Sequence, residues 1–160
     1  MTKITLTKIG FFNPGRLTDQ EIEMSFIARK ELFENLLDNI TDNDAKSIPQ
    51  HLLIIGQRGM GKTSLLVRLA VELKKEKYKN LFIPLVFPEE QYNIDKLSKF
   101  WLNSLDALAD ALDREGQNSL VDEIDIRINQ LTKIESDKEQ STYKAFREWC
   151  KKVDKRPVLL

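Results

Sequence analysis

The sequence predicts an α/β fold in which a parallel sheet is layered between helices. Three observations carry that expectation. Residues 52–55 (LLII) form a short apolar run of the kind a buried strand presents. A glycine-rich stretch follows at once and leads into a helical pattern, with Leu65, Leu66, Leu69 and Leu73 on one face. Two more short apolar runs, 81–87 (LFIPLVF) and 157–160 (PVLL), read as further strands.

Composition sets the outer bounds. A chain of 160 residues suits one domain with a sizeable core, on a prior of roughly 100–200 residues per domain. Its 41% hydrophobic and 31% charged residues are those of an ordinary globular protein. Lys plus Arg balances Asp plus Glu at 25 each, which removes a chain-wide basic footprint for nucleic acid but leaves room for a local patch. Cys150 is the single cysteine, so no internal disulfide forms and a reducing compartment is expected. Its helical spacing from Phe146 and Val153 makes it a core residue rather than a nucleophile. No run reaches the ~20 apolar residues of a membrane helix, and the N-terminus lacks a signal-peptide core. The expectation is a cytoplasmic protein without a membrane partner.

Along the chain, Asn13-Pro14-Gly15 marks a turn, placing Phe11 and Phe12 in a loop or short extended piece. Thr18 and Glu21 form a capping-box pattern that starts a short helix at about Asp19. A second helix is predicted over 29–40, with Leu32, Phe33, Leu36, Leu37 and Ile40 as its buried stripe. Residues 41–44 read as a turn, and His51 stands at the start of the first strand, without a catalytic partner. The helix after the glycine loop is expected over 63–77, its lysines at 74, 75, 77 and 79 forming a solvated basic end. Pro84 inside the 81–87 run argues for a sheet edge or a bulge. A long helix follows, with Leu97, Trp101, Leu105, Leu108 and Leu112 on one face and Gly116 as its C-terminal stop. Leu120 or Val121, Ile124, Ile128, Leu131 and Ile134 make another helical stripe, and Tyr143, Phe146, Cys150 and Val153 a last one. Trp101 and Trp149 are core anchors. The domain reading is an N-terminal helical segment over 1–46 and a partial core over 47–160, with a helical segment over 95–153.

The chemistry lies in the glycine stretch. Gly56, Gln57, Arg58, Gly59, Met60, Gly61, Lys62 and Thr63 match the phosphate-loop pattern G-x-x-x-x-G-K-S/T, in the required context of strand before and helix after. Glycines let backbone approach phosphate oxygens closely and turn N–H groups toward an anion, and the helix N-terminus adds its dipole. Gly59, Met60, Gly61, Lys62, Thr63 and Ser64 are expected to give N–H groups to the phosphates. Lys62 reaches the β- and γ-phosphates as the catalytic cation, and the Thr63 hydroxyl ligates Mg²⁺. Arg58, at a variable position, points to solvent or touches phosphate. Glu89 and Glu90 read first as acids at a helix start. The absence of a guanine-reading N-K-x-D motif mildly favours adenine, so the expected cofactors are ATP and Mg²⁺.

The loop GQRGMGKTSLL preceded by HLLIIG resembles the AAA+/STAND-type P-loop ATPases, near the origin-recognition branch. The segment FIARKELFENLLDNI is similar to that group's F-V/I-G-R-x-x-E-L motif, which helps form the adenine pocket. Phe26, Ile27, Arg29 and Leu32 match or nearly match; Ala28 replaces the glycine and Glu31 falls one place early. NPGRLTDQEIEMSFIAR, the loop and VFPEEQYNIDKLSKFWLNSLDAL together look like an uncharacterised bacterial family of large AAA-type ATP-binding proteins. The resemblance spans roughly residues 10–112. It implies a three-layer α/β/α P-loop core, incomplete because Val158, Leu159 and Leu160 stand where the Walker B strand begins. It also gives Glu89 or Glu90 a place near the γ-phosphate. The implied function is ATP–Mg²⁺ binding by the N-terminal part of a larger ATPase that couples hydrolysis to conformational signalling, with oligomer or partner contacts through downstream domains. A nucleic-acid-loading initiator-type ATPase and a regulatory nucleotide-binding module with negligible turnover stand beside it.

Overall fold

Two compact units divide the chain, Met1–Val71 and Glu72–Leu160. The computed structural model describes residues 17–42, 51–87 and 94–160. The expected turns at 13–15 and 43–44 and the loop carrying Glu89 and Glu90 lie outside the described residues.

In the first unit, helix α1 (Asp19–Ser25) begins as its capping box predicts. Thr18 N–H donates to Glu21 Oε2 (2.8 Å) and Glu21 N–H donates back to Thr18 Oγ1 (3.3 Å). Helix α2 (Lys30–Thr41) starts one residue later than expected, because Arg29 is its N-cap in the left-handed conformation, φ 62°. Phe33 and Leu36 are its buried residues, a narrower stripe than the five predicted. Helix α3 (Lys62–Leu73), whose last two residues are counted in the second unit, buries Leu65, Leu69 and Leu73 fully, as the period demanded.

The helix α3 ends four residues short of its predicted end. Past Leu73 the backbone tightens: Lys75 N–H donates to Glu72 O, and Tyr78 and Lys79 N–H both donate to Lys75 O. Tyr78 is buried edge-on to the Phe82 ring at 6.4 Å, which anchors this turn. The basic run is therefore not a helix end. Just past the helix, Lys75 pairs back with Glu72 of its last turn (2.8 Å), and Lys79 pairs with Glu76 (2.6 Å).

The second unit is built around α4 (Leu97–Arg114), which packs on α5 (Asn118–Thr132), α6 (Lys138–Val153) and strand β1 (Phe82–Leu85). Leu105, Leu108 and Leu112 of α4, Ile124 and Leu131 of α5, and Ala145, Phe146 and Trp149 of α6 form one core with Ile83 and Leu85. Gly116, φ 75°, stops α4: its N–H donates to Asp113 O (2.9 Å) and Gln117 N–H donates to Leu112 O (3.0 Å). That pair of bonds is the Schellman arrangement. On α6 the buried face is Thr142, Ala145, Phe146 and Trp149, rotated from the predicted stripe, and Tyr143 is exposed. Trp101 lies against the Tyr143 and Phe146 rings at 4.9 and 5.5 Å.

Strand β2 (Arg156–Leu159) pairs in parallel with β1, Phe82 opposite Arg156 and Leu85 opposite Leu159. Arg156 N–H donates to Leu81 O, Leu160 N–H to Leu85 O, and Phe87 N–H to Leu160 O. The ladder thus uses the odd-numbered residues of this stretch, and Pro84, one out of phase, is not asked for the N–H it lacks. In a two-stranded sheet both strands are edges, which fits the predicted position of Pro84.

The layered fold expected from the sequence is not what forms. Six helices hold 62% of the described residues, and the sheet has two strands. A three-layer α/β/α core needs a sheet broad enough to bury both faces under helices. The decisive stretch is 52–55. It enters no ladder, and Leu53 and Ile55 are 84% and 86% exposed. An apolar run expresses a preference for burial, but a strand exists only where a neighbour meets its N–H and C=O groups.

Candidate functional site

The phosphate-loop residues all fall within the first unit. Gly59 and Gly61 have φ of 83° and 74°, and a methyl group on either would meet nothing within 4 Å. Their side chains are missing for backbone reasons, since only glycine enters this region at no steric cost. Met60 N–H donates to Gln57 O (3.4 Å), closing the turn between them. The helical ladder of α3 begins with Leu65 N–H on Gly61 O (3.0 Å). The N–H groups of Lys62, Thr63 and Ser64 therefore precede the ladder, at the positive end of a twelve-residue helix. No acid stands in that first turn, so nothing there opposes an anion.

Lys62 folds back over the loop. Its Nζ donates to Gly56 O (2.7 Å) and Gln57 O (3.0 Å), tying the first residue of α3 to the first two carbonyls of the loop. These are charge-assisted bonds. Gly56 plays a different part from the other two glycines. A methyl group placed there would sit 3.5 Å from Met60 Sδ and 3.9 Å from Lys62 Cδ, so the thioether and the lysine stem both lie against it. Lys62 and Thr63 are half-buried, while Gln57, Arg58, Met60 and Ser64 are exposed.

The geometry fits a polyphosphate better than it fits a bare metal ion. Left-handed glycines, N–H groups ahead of a helix ladder and one ammonium are all anion-directed. Among the described residues no group of three or more His, Cys, Asp or Glu is placed to hold a cation. A Mg²⁺ here would take the Thr63 hydroxyl and phosphate oxygens as its ligands, with water completing the shell.

The segment that resembles the base-recognition motif is joined to α3 through aromatic contacts. The Phe26 ring lies 5.6 Å from that of Phe33, and the Arg68 guanidinium sits 4.6 Å over Phe33. The segment is thus next to the loop's helix. Arg29 is its left-handed residue, and Ile27 is exposed. Cys150 is half-buried, and burial pushes its thiol up to about 11, which removes it as a nucleophile at neutral pH. The cleft between α5 and α6 is lined by Glu123, Arg127, Trp149 and Lys152. Lys152 there pairs with Glu123 and lies over Trp149, so its charge is already satisfied.

Two features of the loop escaped the motif. One is the return of Lys62 to carbonyls five and six residues back. The other is the placement of the Met60 side chain against Gly56. The pattern treats residue 60 as any amino acid, so no sequence signal pointed to its side chain. Comparison of the chain with family models, with curated proteins and with solved structures gave no match.

Proposed function

We propose that the chain binds ATP–Mg²⁺ through residues 56–64, as the nucleotide-binding part of a larger ATPase of the AAA+/STAND type. The observation that carries the reading is the conjunction of Gly59 and Gly61 at positive φ with Lys62 at the head of α3. Backbone donors, helix dipole and ammonium converge on one short stretch. The reading rests on loop and helix; it does not invoke a layered sheet.

In this proposal the N–H groups of 59–64 receive phosphate oxygens, and Lys62 leaves Gly56 O and Gln57 O for the β- and γ-phosphates. Thr63 holds the magnesium. Binding then changes the loop itself, because the two bonds that close it in this structure must open. That supports a role in conformational signalling. Hydrolysis requires in addition an acid for the cation and a group that orients water, and it belongs in this reading to the larger protein. A cytoplasmic location is part of the same reading, supported only in that no helix among the described residues is long and apolar enough to cross a membrane.

Titration with ATP–Mg²⁺ tests the proposal, with Lys62→Ala alongside. Loss of the ammonium is expected to weaken binding at least tenfold, or roughly 1.4 kcal/mol. Equal affinity in the two proteins would remove the assignment.

A further inference from the structure

We propose that Met60 is an oxidation-sensitive site whose sulfoxide holds Lys62 away from phosphate, making the loop responsive to hydroperoxides. The inference rests on the phosphate-binding reading above and deepens it. Three observations meet at one place. Met60 is 48% exposed, so a small oxidant reaches it. Its Sδ lies within ordinary contact distance of the space above Gly56, as does Lys62 Cδ. Lys62 Nζ is bonded to Gly56 O and Gln57 O, at the same end of the loop.

The chemistry is a two-electron oxygen transfer. A sulfur lone pair attacks one oxygen of the hydroperoxide, the O–O bond breaks and an S–O bond forms. The sulfur is oxidised, the peroxide is reduced, and the leaving oxygen takes up a proton to depart as water or alcohol. The product turns an apolar thioether into a polar group with a strong acceptor oxygen. A thioether is only a weak acceptor. The sulfoxide puts a strong acceptor oxygen on a side chain that lies against the same glycine as the Lys62 stem, and this oxygen joins the two carbonyls in competing with phosphate for the ammonium. That competition opposes phosphate, and it acts through a side chain the motif leaves unspecified.

Two other sulfur-bearing residues, Met24 and Cys150, provide internal comparisons. Met24, in α1, is 82% exposed and should oxidise readily, but it is remote in sequence from the loop. Cys150 is half-buried with its thiol held protonated, so the same oxidant reacts with it slowly.

The test is treatment of the full chain with hydrogen peroxide, followed by peptide mass mapping of each methionine and titration with ATP–Mg²⁺. Wild type, Met24→Leu and Met60→Leu are each compared with their own untreated form. Oxidation should weaken binding roughly tenfold in wild type and in Met24→Leu, and by less than about twofold in Met60→Leu. Methionine sulfoxide reductases should restore the affinity of the treated wild type. Wild type that binds equally well with Met60 oxidised overturns the inference, as does a loss of the same size in Met60→Leu. An untreated chain without affinity for ATP–Mg²⁺ overturns the phosphate reading and this inference together. Binding indifferent to the state of Met60 overturns this inference alone.

Discussion

The three loop glycines differ in what they require. Gly59 and Gly61 need the left-handed backbone, and space is not their constraint. Gly56 has no left-handed φ, and its neighbours Met60 and Lys62 are flexible side chains at contact distance. Gly59→Ala and Gly61→Ala should each strain the loop by about 1–2 kcal/mol. ATP affinity should fall accordingly. Gly56→Ala should be milder than either, and a titration series over the three variants checks the order. A Gly56→Ala variant as damaged as the others would mean that close approach of backbone, not φ, governs the loop. The motif names these positions alike; only the dihedral angles separate them. Lys62 shows the same limit. Its identity was legible in the sequence, while its resting bonds to Gly56 and Gln57 depend on where the loop returns.

Among the elements, the paired helices α4 and α5 carry a group of like charges. Partial desolvation, then the nearby Asp110 and Asp125 carboxylates, raise the Asp106 carboxyl above the usual carboxylate range. The folded state therefore holds a proton on Asp106 more tightly than the unfolded chain does. Stability from this group is full below the unfolded pKa, and it is lost as pH rises through the raised folded value. Asp106 still reaches solvent, which screens part of the effect. Asp106→Asn should raise Tm at neutral pH relative to wild type, with the gain shrinking as pH falls below the carboxylate range. Thermal melts at several pH values check the sign; a gain that grows in acid contradicts it. Helix positions themselves were largely legible, because apolar period, capping box and stop glycine are local signals. Thr18 with Glu21 and Gly116 with its two bonds act where the sequence puts them. The rotated face of α6 was not legible. Phe146, Cys150 and Val153 of the predicted stripe do pack on the core, but Tyr143 is exposed, and packing against α4 draws in Thr142 and Ala145, whose small or polar side chains gave no apolar signal.

For the molecule as a whole, stability in the second unit is concentrated where α4 meets α5 and α6. Leu108 is fully buried there. Leu108→Ala should cost on the order of 3 kcal/mol, the transfer term plus a cavity that surrounding leucines fill only in part. Denaturant unfolding followed by tryptophan fluorescence, through Trp101 and Trp149, reads that unit directly. A loss under about 1 kcal/mol would show that the helices close over the gap. The sequence by itself determined the local facts: where most helices begin, which stretch matches the phosphate-loop pattern, and that 81–87 and 157–160 prefer extended backbone. Only the tertiary structure decided which extended stretches became strands. β1 and β2 found each other, whereas 52–55 carries the same apolar signal and stays outside the sheet. The physical reason is that helical hydrogen bonds close within one segment, so their pattern is written locally. Sheet hydrogen bonds need a partner far along the chain, and an apolar run does not name it.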